Sequence, residues 1–246
     1  MSGQSALLVG ATGATGRHVL RELLKDPQFT RVGEFGRRSL PESELQGVDT
    51  SKLQRKIVDF EKLDEKEWKE GNWDVVYITL GTTRKQAGSA EGFERIDREY
   101  VINAAKAAKS TDPNHQQRLV YLSSAGANAA APFLYPKSKG LTERGLASLG
   151  YSDFIAFRPG FLAGAQRGET RIAETLFGCV TGVLSYVSSS LQIHVADLGR
   201  SIVTAGKLGT AGLPKSAGAT QAPAQEGAST YTVIGNAGAI ALSKEN

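Results

Sequence analysis

Short apolar, β-branched runs alternate with longer amphipathic runs over the first two thirds of the chain. The apolar runs predict six strands, at 5–9, 31–35, 56–58, 74–80, 118–123 and 153–157. Apolar positions at helical spacing between these strands predict helices at 14–25, 64–70, 92–109 and 141–149. Strands that alternate with helices build βαβ units with right-handed crossovers. The pattern therefore predicts an α/β fold with a doubly wound parallel sheet.

The regular alternation ends after residue 160. Three later runs still predict regular structure: a glycine-interrupted helix at 169–186, a helix at 195–207 and a strand at 230–234. The stretch 209–229 is rich in Gly, Ala, Pro and Gln, which predicts a flexible loop. Because no internal repeat or clean boundary is visible, we expect one domain over 1–246. Its core would cover about 5–160, and a small C-terminal substrate cap about 161–246.

A glycine-rich turn, Gly10-Ala11-Thr12-Gly13-Ala14-Thr15-Gly16, lies between the first strand and the first helix. In such turns one glycine permits the tight bend, another lets the backbone approach a pyrophosphate, and a third lets the helix pack against the strand. The free N–H groups and the positive dipole end of the helix then bind phosphate charge. The position of the turn, ahead of further βα repeats, predicts a dinucleotide cofactor rather than a merely structural bend.

Two arginines, Arg37 and Arg38, follow the second strand. A site that prefers NAD carries an Asp or Glu at about this point for the ribose 2′-hydroxyl, whereas arginines bind the 2′-phosphate of NADP. Glu34 comes earlier in the strand, and we expect it to point elsewhere. The pattern favours NADP(H), the alternative being a pair of solvated surface arginines.

Composition argues against several other classes of function. The net charge of +4 comes without a basic stripe interleaved with aromatics, which argues against a nucleic-acid partner. The single cysteine, Cys179, excludes an intramolecular disulfide, fits a reducing compartment and is expected to be a buried, inert thiol. The histidines are scattered and no Cys/His pair has the spacing of metal ligands, so no metal site is expected.

No membrane-spanning or targeting segment is expected. The first residues are too few and too uncharged for a signal peptide, and no apolar run approaches the roughly 20 residues that a spanning helix needs. The apolar stretch 172–187 is expected to be a pocket lid or a buried helix. The alternative is peripheral contact with a membrane surface.

Further blocks follow the glycine turn in a recognisable order. They are Gly36-Arg37-Arg38, Val58-Asp59-Phe60-Glu61-Lys62-Leu63, Leu80-Gly81-Thr82-Thr83-Arg84, Ala90-Glu91-Gly92-Phe93 with Asp97-Arg98-Glu99-Tyr100-Val101, Leu122-Ser123-Ser124-Ala125-Gly126-Ala127, Phe133-Leu134-Tyr135 with Lys139, and Phe157-Arg158-Pro159-Gly160. Together they resemble the Tat-interactive-protein-like oxidoreductases, atypical or extended short-chain dehydrogenases/reductases, in particular the fungal members associated with the mitochondrial outer membrane. The resemblance covers about residues 5–205 and thins after residue 207.

The resemblance implies a Rossmann-like fold that binds NADPH. The turn would contact the pyrophosphate, Arg37 and Arg38 the 2′-phosphate, and the segment 158–162 would close over the nicotinamide. In full, the expected cofactor-binding residues are Gly10, Thr12, Gly13, Ala14, Thr15 and Gly16 in the turn, Arg37 and Arg38, Asp59 and Phe60 at the adenine, Leu80, Gly81 and Thr82 at the nicotinamide side, Ser123, Tyr135, Lys139, Pro159, Gly160, Phe161 and Leu162. A location in the cytoplasm or on the cytosolic face of the mitochondrial outer membrane follows from the resemblance alone.

The chain carries the Tyr-x-x-x-Lys pair of the short-chain reductases as Tyr135 and Lys139, with Ser124 or its neighbour Ser123 after the preceding strand. A cationic Lys139 stabilises a phenolate, so that Tyr135 can donate a proton to a carbonyl oxygen as hydride arrives from the nicotinamide. Ser124, favoured because it lies just outside the strand, would hold that oxygen. Pro136 is expected at the first helical position, which would put Tyr135 at the cap.

Two functions fit these residues. The first is an NADPH-dependent reductase of a small carbonyl substrate, favoured by the complete Ser, Tyr and Lys set. The alternative is a cofactor-binding regulatory or scaffold protein with little turnover, because no substrate-specific motif is present. The substrate and the oligomeric state are left open by the sequence.

Overall fold

The computed structural model describes residues 3–164, 192–224 and 230–245. The strands are β1 (Gln4–Val9), β2 (Phe29–Gly36), β3 (Leu53–Ile57), β4 (Val75–Ile78), β5 (Arg118–Leu122), β6 (Asp153–Arg158), β7 (Phe161–Ala163), β8 (Gln192–His194), β9 (Thr220–Pro223) and β10 (Thr230–Gly235). The α-helices are α1 (Gly16–Lys25), α2 (Glu65–Lys69), α3 (Arg84–Ala87), α4 (Ala90–Glu94), α5 (Tyr100–Ala108), α6 (Leu134–Ala147), α7 (Val195–Gly212) and α8 (Asn236–Leu242). A π-helical turn, Arg95–Glu99, joins α4 to α5, and short 3₁₀ helices lie at Glu42–Leu45 and Lys215–Ala217.

A central sheet of eight strands has the order β3-β2-β1-β4-β5-β6-β10-β9. Every neighbouring pair is parallel except β10 and β9, which are antiparallel. From β1 the chain continues outward through β2 and β3, and then returns to place β4, β5 and β6 on the other side of β1. This reversal between β1 and β4 is the topological switch point at which open α/β sheets bind ligands.

Helices cover both faces of the sheet, which explains why its central strands, β1, β4, β5 and β6, are largely apolar runs. In β1, Ala6 and Leu8 pack with α1, α7 and α8 on one face. Leu7 and Val9 pack with α2, α5 and α6 on the other face. All four side chains are fully buried. The doubly wound α/β fold predicted from the alternating pattern is therefore confirmed.

The predicted elements of the first two thirds are present, with two corrections. The helix predicted over 92–109 is divided into α4, the π-helical turn and α5. The helix predicted at 141–149 begins already at Leu134, so Pro136 is its third residue and not its first. A proline is tolerated there because the first N–H groups of a helix have no partner within the helix. Tyr135 is thus helical and does not lie at the cap.

The prediction of a flexible loop rather than packed structure over 209–229 is wrong for the described part of that range. Helix α7 continues to Gly212 with a kink at Gly209, and Thr220–Pro223 forms β9 at the edge of the sheet. The Gly-, Ala-, Pro- and Gln-rich composition of this range led to the wrong prediction, because an edge strand needs few apolar residues. The described residues after Gly212 thus extend the same sheet, and α8 packs against α7.

Three predictions fall on residues outside the described part of the chain: the helix at 169–186, the lid or membrane-surface segment at 172–187, and the buried thiol of Cys179. In the described ranges, no helix combines the length and the apolar character needed to cross a membrane.

Candidate active site

The loops that follow the carboxyl ends of six parallel strands carry the predicted site residues. Gly10–Gly16 follow β1, Arg37 and Arg38 follow β2, Asp59 and Phe60 follow β3, Leu80–Thr82 follow β4, Ser123 and Ser124 follow β5, and Pro159–Leu162 follow β6. Because the strands are parallel, these loops lie at one edge of the sheet. Gly16 is also the first residue of α1, and Tyr135 and Lys139 come from α6, which follows the loop after β5.

The glycine turn at the end of β1 has no room for a side chain at two of its three glycines. Gly10 has a φ of +101°, and a Cβ on it would lie 2.6 Å from the backbone nitrogen of Leu80. A Cβ on Gly16 would lie 2.0 Å from the Gly10 carbonyl oxygen. A Cβ on Gly13 meets that same oxygen at 3.4 Å, an ordinary contact. The fold itself therefore requires Gly10 and Gly16, whereas the space beside Gly13 is open.

The start of α1 has the features of an anion site. Thr15, at its N-cap, makes no side-chain capping hydrogen bond, and the first turn contains no acidic residue. The Thr15 hydroxyl is buried without a hydrogen-bond partner among the described residues. A bound phosphate would use the positive end of the helix and could satisfy this hydroxyl. These residues fit the pyrophosphate of a dinucleotide.

At the end of β2 the positive charges are exposed and the negative charge is engaged elsewhere. Arg37 and Arg38 are exposed, and in the part of the chain that is described neither forms an ion pair or a side-chain hydrogen bond. Glu34 is only 1% exposed and accepts hydrogen bonds from the backbone N–H of Leu40 and from Arg55 Nε, the latter at 2.9 Å. No carboxylate of β2 is thus free to compete with the two arginines for a ligand.

The loop after β3 differs from the expectation in one respect. The ring of Phe60 is buried and stacks on Tyr100 at 5.3 Å between ring centroids. Asp59 is exposed, and its carboxylate accepts a hydrogen bond from Glu61 N at 2.9 Å. A ligand at this loop would therefore meet the backbone of Phe60 and not its ring.

Ser124 and Tyr135 are brought together where β5 ends. Burial raises the pKa of Tyr135, while the charge of Lys139 and the nearby Ser124 hydroxyl act in the opposite direction. The neighbouring Ser123 hydroxyl is buried and has no partner among the described residues. The loop after β6 lies beside the two serines, because Ala125 N donates a hydrogen bond to the Pro159 carbonyl at 2.8 Å. Ser124 is therefore the serine that meets Tyr135.

Lys139 is almost completely buried, with an exposure of 4%. Its Nζ lies 3.1 Å from Asp97 Oδ1, donates a hydrogen bond to the Tyr121 hydroxyl at 3.0 Å, and lies 5.9 Å from the Tyr135 ring centroid. Burial opposes the charged form, but Asp97 and the two tyrosines outweigh it and raise the pKa of Lys139 well above its usual value. Lys139 is therefore a charged ammonium inside the protein.

Asp97 and Tyr121 were not predicted as site residues. Asp97 lies four residues after Phe93 and four before Val101, both buried, so it occupies the apolar face of the predicted helix. A carboxylate on such a face is the signal that sequence reasoning could have used. Tyr121 lies inside a buried strand and gives no such signal.

Comparison with known proteins agrees with this geometry. A family model described as NAD(P)H-binding matches residues 10–175. Protein HTATIP2 of Rattus norvegicus is 39% identical over 176 residues, which are 72% of this chain and 69% of the relative. The mitochondrial protein fmp52 of Emericella nidulans is 33% identical over 212 residues, 81% of this chain and 85% of the relative.

The chain belongs to the NAD(P)H-binding family that includes HTATIP2 and the fungal FMP52 proteins. The resemblance drawn from the sequence blocks is thereby confirmed.

Solved structures show the fold of this family more widely. MoeE5 in complex with UDP-glucose and NAD has a TM-score of 0.61 at 19% identity, covering 85% of this chain and 73% of that chain. The PhqB reductase domain from Penicillium fellutanum has a TM-score of 0.60 at 18% identity, covering 84% of this chain and 65% of that chain. At this level of identity the likeness shows a Rossmann-type fold and carries no substrate to this chain.

The two contrasting glycines of the turn give a paired test. Gly16→Ala should destabilise the cofactor-free protein by about 2 kcal/mol or more, because its Cβ collides with backbone. Gly13→Ala should change stability by less than about 0.5 kcal/mol, yet weaken NAD(P)H binding, because the new methyl occupies the space through which the backbone approaches a pyrophosphate.

Urea unfolding of the cofactor-free variants and fluorescence titration with NADPH measure the two effects separately. Equal loss of stability in both variants, or wild-type affinity in Gly13→Ala, would contradict this view of the turn.

Proposed function

We propose that the protein is an NADPH-dependent reductase of small carbonyl compounds, with Tyr135 as the proton donor. The observation that carries the proposal is the meeting of Tyr135 with Ser124 and with the charged, buried Lys139 at the edge of the sheet that holds the glycine turn. A phenol beside a cation is suited to proton donation, and the serine hydroxyl is suited to holding a carbonyl oxygen.

The proposed roles follow from the chemistry of each side chain. When bound, the cofactor supplies a hydride to the carbonyl carbon. Ser124 donates a hydrogen bond to the carbonyl oxygen and so orients it towards Tyr135. As negative charge develops on that oxygen, Tyr135 gives up its proton, and Lys139 stabilises the phenolate that is left. The product is an alcohol, and Tyr135 regains its proton from solvent.

The remaining loops would hold the cofactor. The N-terminus of α1 and the space beside Gly13 suit the pyrophosphate, and the buried, unpartnered hydroxyls of Thr15 and Ser123 are available to ligand atoms. Arg37 and Arg38, exposed and without ion pairs in the described ranges, suit a 2′-phosphate and support NADP(H) over NAD(H).

Replacing the proton donor tests the reductase directly. Tyr135→Phe should lower kcat/KM for NADPH oxidation by about 100-fold or more while NADPH affinity stays near that of the wild type, because only the transferable proton is lost. The assay follows NADPH oxidation against a panel of aldehydes, ketones and quinones.

The matched control is Tyr151→Phe. Tyr151 lies just before β6, at the edge of the sheet opposite the site, and its hydroxyl donates a hydrogen bond to the Ala105 carbonyl. Loss of this hydroxyl should leave turnover unchanged. Tight NADPH binding by the wild type with no turnover of any substrate would overturn the proposed reductase activity and favour the regulatory or scaffold function.

The preference for NADPH depends on the two arginines. The double variant Arg37→Ala, Arg38→Ala should bind NADPH about 10- to 100-fold more weakly and NADH with nearly unchanged affinity, because only NADPH carries the 2′-phosphate. Titration with both cofactors gives the ratio, and Arg144→Ala, an exposed arginine on α6, serves as the control. An unchanged NADPH/NADH ratio would exclude Arg37 and Arg38 as the 2′-phosphate site.

The names of the fungal relatives describe them as mitochondrial, and this supports a mitochondrial location for this chain as well. We propose that it is attached peripherally to the cytosolic face of the mitochondrial outer membrane. Fractionation tests this: the protein should sediment with mitochondria, be released at alkaline pH and be cleaved by protease added to intact organelles. Recovery in the cytosolic fraction alone would contradict the proposal.

A further inference from the structure

The proposed reaction uses Lys139 but leaves its two nearest partners without a role. Asp97 is only 1% exposed, and apart from the ion pair with Lys139 neither of its carboxylate oxygens has a hydrogen bond of good geometry among the described residues. Burying a carboxylate is costly unless a charge compensates it. Asp97 must therefore be considered together with the ammonium of Lys139.

The backbone brings Asp97 to this place through the π-helical turn. Such turns insert a wider coil into a helix and are frequent at functional sites. The Asp97 carbonyl oxygen lies 3.4 Å from the Thr142 hydroxyl, which donates its closer hydrogen bond to Ser138 within α6, so the turn packs directly against α6. A Cβ on Gly81 would lie 3.3 Å from Asp97 Oδ1 and 3.7 Å from Lys139 Nζ, so the loop after β4 also passes close to the ion pair.

The charges of the cluster balance when the ion pair is formed and both phenols keep their protons. In the described ranges, the titratable groups that face Lys139 are Asp97 from the π-helical turn, Tyr121 from β5 and Tyr135 from α6. With Asp97 ionised, Lys139 protonated and both phenols neutral, the net charge is zero. Loss of a proton from Lys139 or Tyr135 would leave an uncompensated negative charge in a buried site.

We propose that Asp97 is a positioning residue that holds the Tyr135–Lys139 pair in its doubly protonated form, the form that can deliver a proton to a substrate. The role rests on the proposed reductase function. It acts through Lys139: the carboxylate fixes the ammonium beside the Tyr121 hydroxyl and balances its charge, so that Tyr135 stays a neutral donor until the substrate oxygen takes its proton.

The pKa directions agree with this arrangement. Burial raises the pKa of Tyr135 and Asp97 raises it further, against the lowering effect of Lys139. For Lys139, Asp97 is the largest of the contributions that raise the pKa. Removing the negative charge of Asp97 would leave the buried cluster with one excess positive charge. The pair would then lose its first proton at a lower pH.

The test replaces Asp97 by its neutral isostere, Asp97→Asn, and follows the protons themselves. Tyrosine labelled at Cζ and lysine labelled at Cε report ionisation by NMR, with Tyr135→Phe and Lys139→Met identifying the two signals. We expect the first proton loss of the pair to move to lower pH in Asp97→Asn. The basic limb of the pH profile for reduction should move in the same direction.

The matched control is Glu99→Gln, which removes an equal charge from the exposed side of the same π-helical turn. It should leave the titration of the pair unchanged. A merely structural ion pair would change the unfolding midpoint and the Lys139 signal of Asp97→Asn, but it would leave the Tyr135 signal and the basic limb of the pH profile unmoved, and that outcome would overturn the proposal. If Asp97→Asn does not fold, the wild type decides: ionisation of Tyr135 below the usual tyrosine value of about 10 would overturn it equally.

The titration needs no substrate, so it separates the two proposals. A shifted titration in a protein that reduces no substrate would overturn the reductase and support the proton-holding role of Asp97. An unshifted titration in an active enzyme would overturn the role of Asp97 alone.

Discussion

The close approach of bare backbone at Gly10 and Gly16 is the constraint on which the site depends. Side chains there would lie 2.6 Å from the nitrogen of Leu80 and 2.0 Å from the carbonyl of Gly10. Their absence lets the turn after β1 contact the loop after β4, where the strand order reverses. That loop continues to Gly81, which lies against the ion pair of Asp97 and Lys139. One backbone contact thus connects the helix N-terminus suited to phosphate with the cluster of Asp97, Lys139 and Tyr135.

The sequence predicts the central strands and the glycine turn because their causes are local. A strand buried on both faces must be a continuous apolar run, and a turn without room for Cβ atoms must contain glycines. The elements that sequence reasoning missed have non-local causes. Strand β9 exists because its backbone pairs with β10, whatever its composition. Helix α6 begins at Leu134 because the first turn of a helix tolerates Pro136. The spacing of apolar residues alone predicts a later start, at 141.

The site was predicted only in part for the same reason. Tyr135 and Lys139 are four residues apart, and their proximity follows from one helical turn. Asp97 is distant in sequence, and its contact with Lys139 requires the π-helical turn and the packing of α5 against α6. Glu34 shows the opposite case. Its position in β2 predicts that it points away from a ribose, and Arg55 and the N–H of Leu40 indeed occupy its carboxylate.

The site residues after β2 and on α6 carry positive charge in opposite ways, and this difference defines what each can do. Arg37 and Arg38 are exposed and have no counter-ion in the described ranges, so an incoming anion gains their full attraction. Lys139 is buried, and Asp97 already balances its charge, so it offers an anion little net attraction. The charge of Lys139 still lowers the pKa of the neighbouring Tyr135. Had Lys139 no counter-ion, its charge would favour the phenolate at rest, and a phenolate cannot donate a proton. A reductase that must keep its proton until the substrate oxygen becomes basic is therefore better suited by a paired lysine than by a free one.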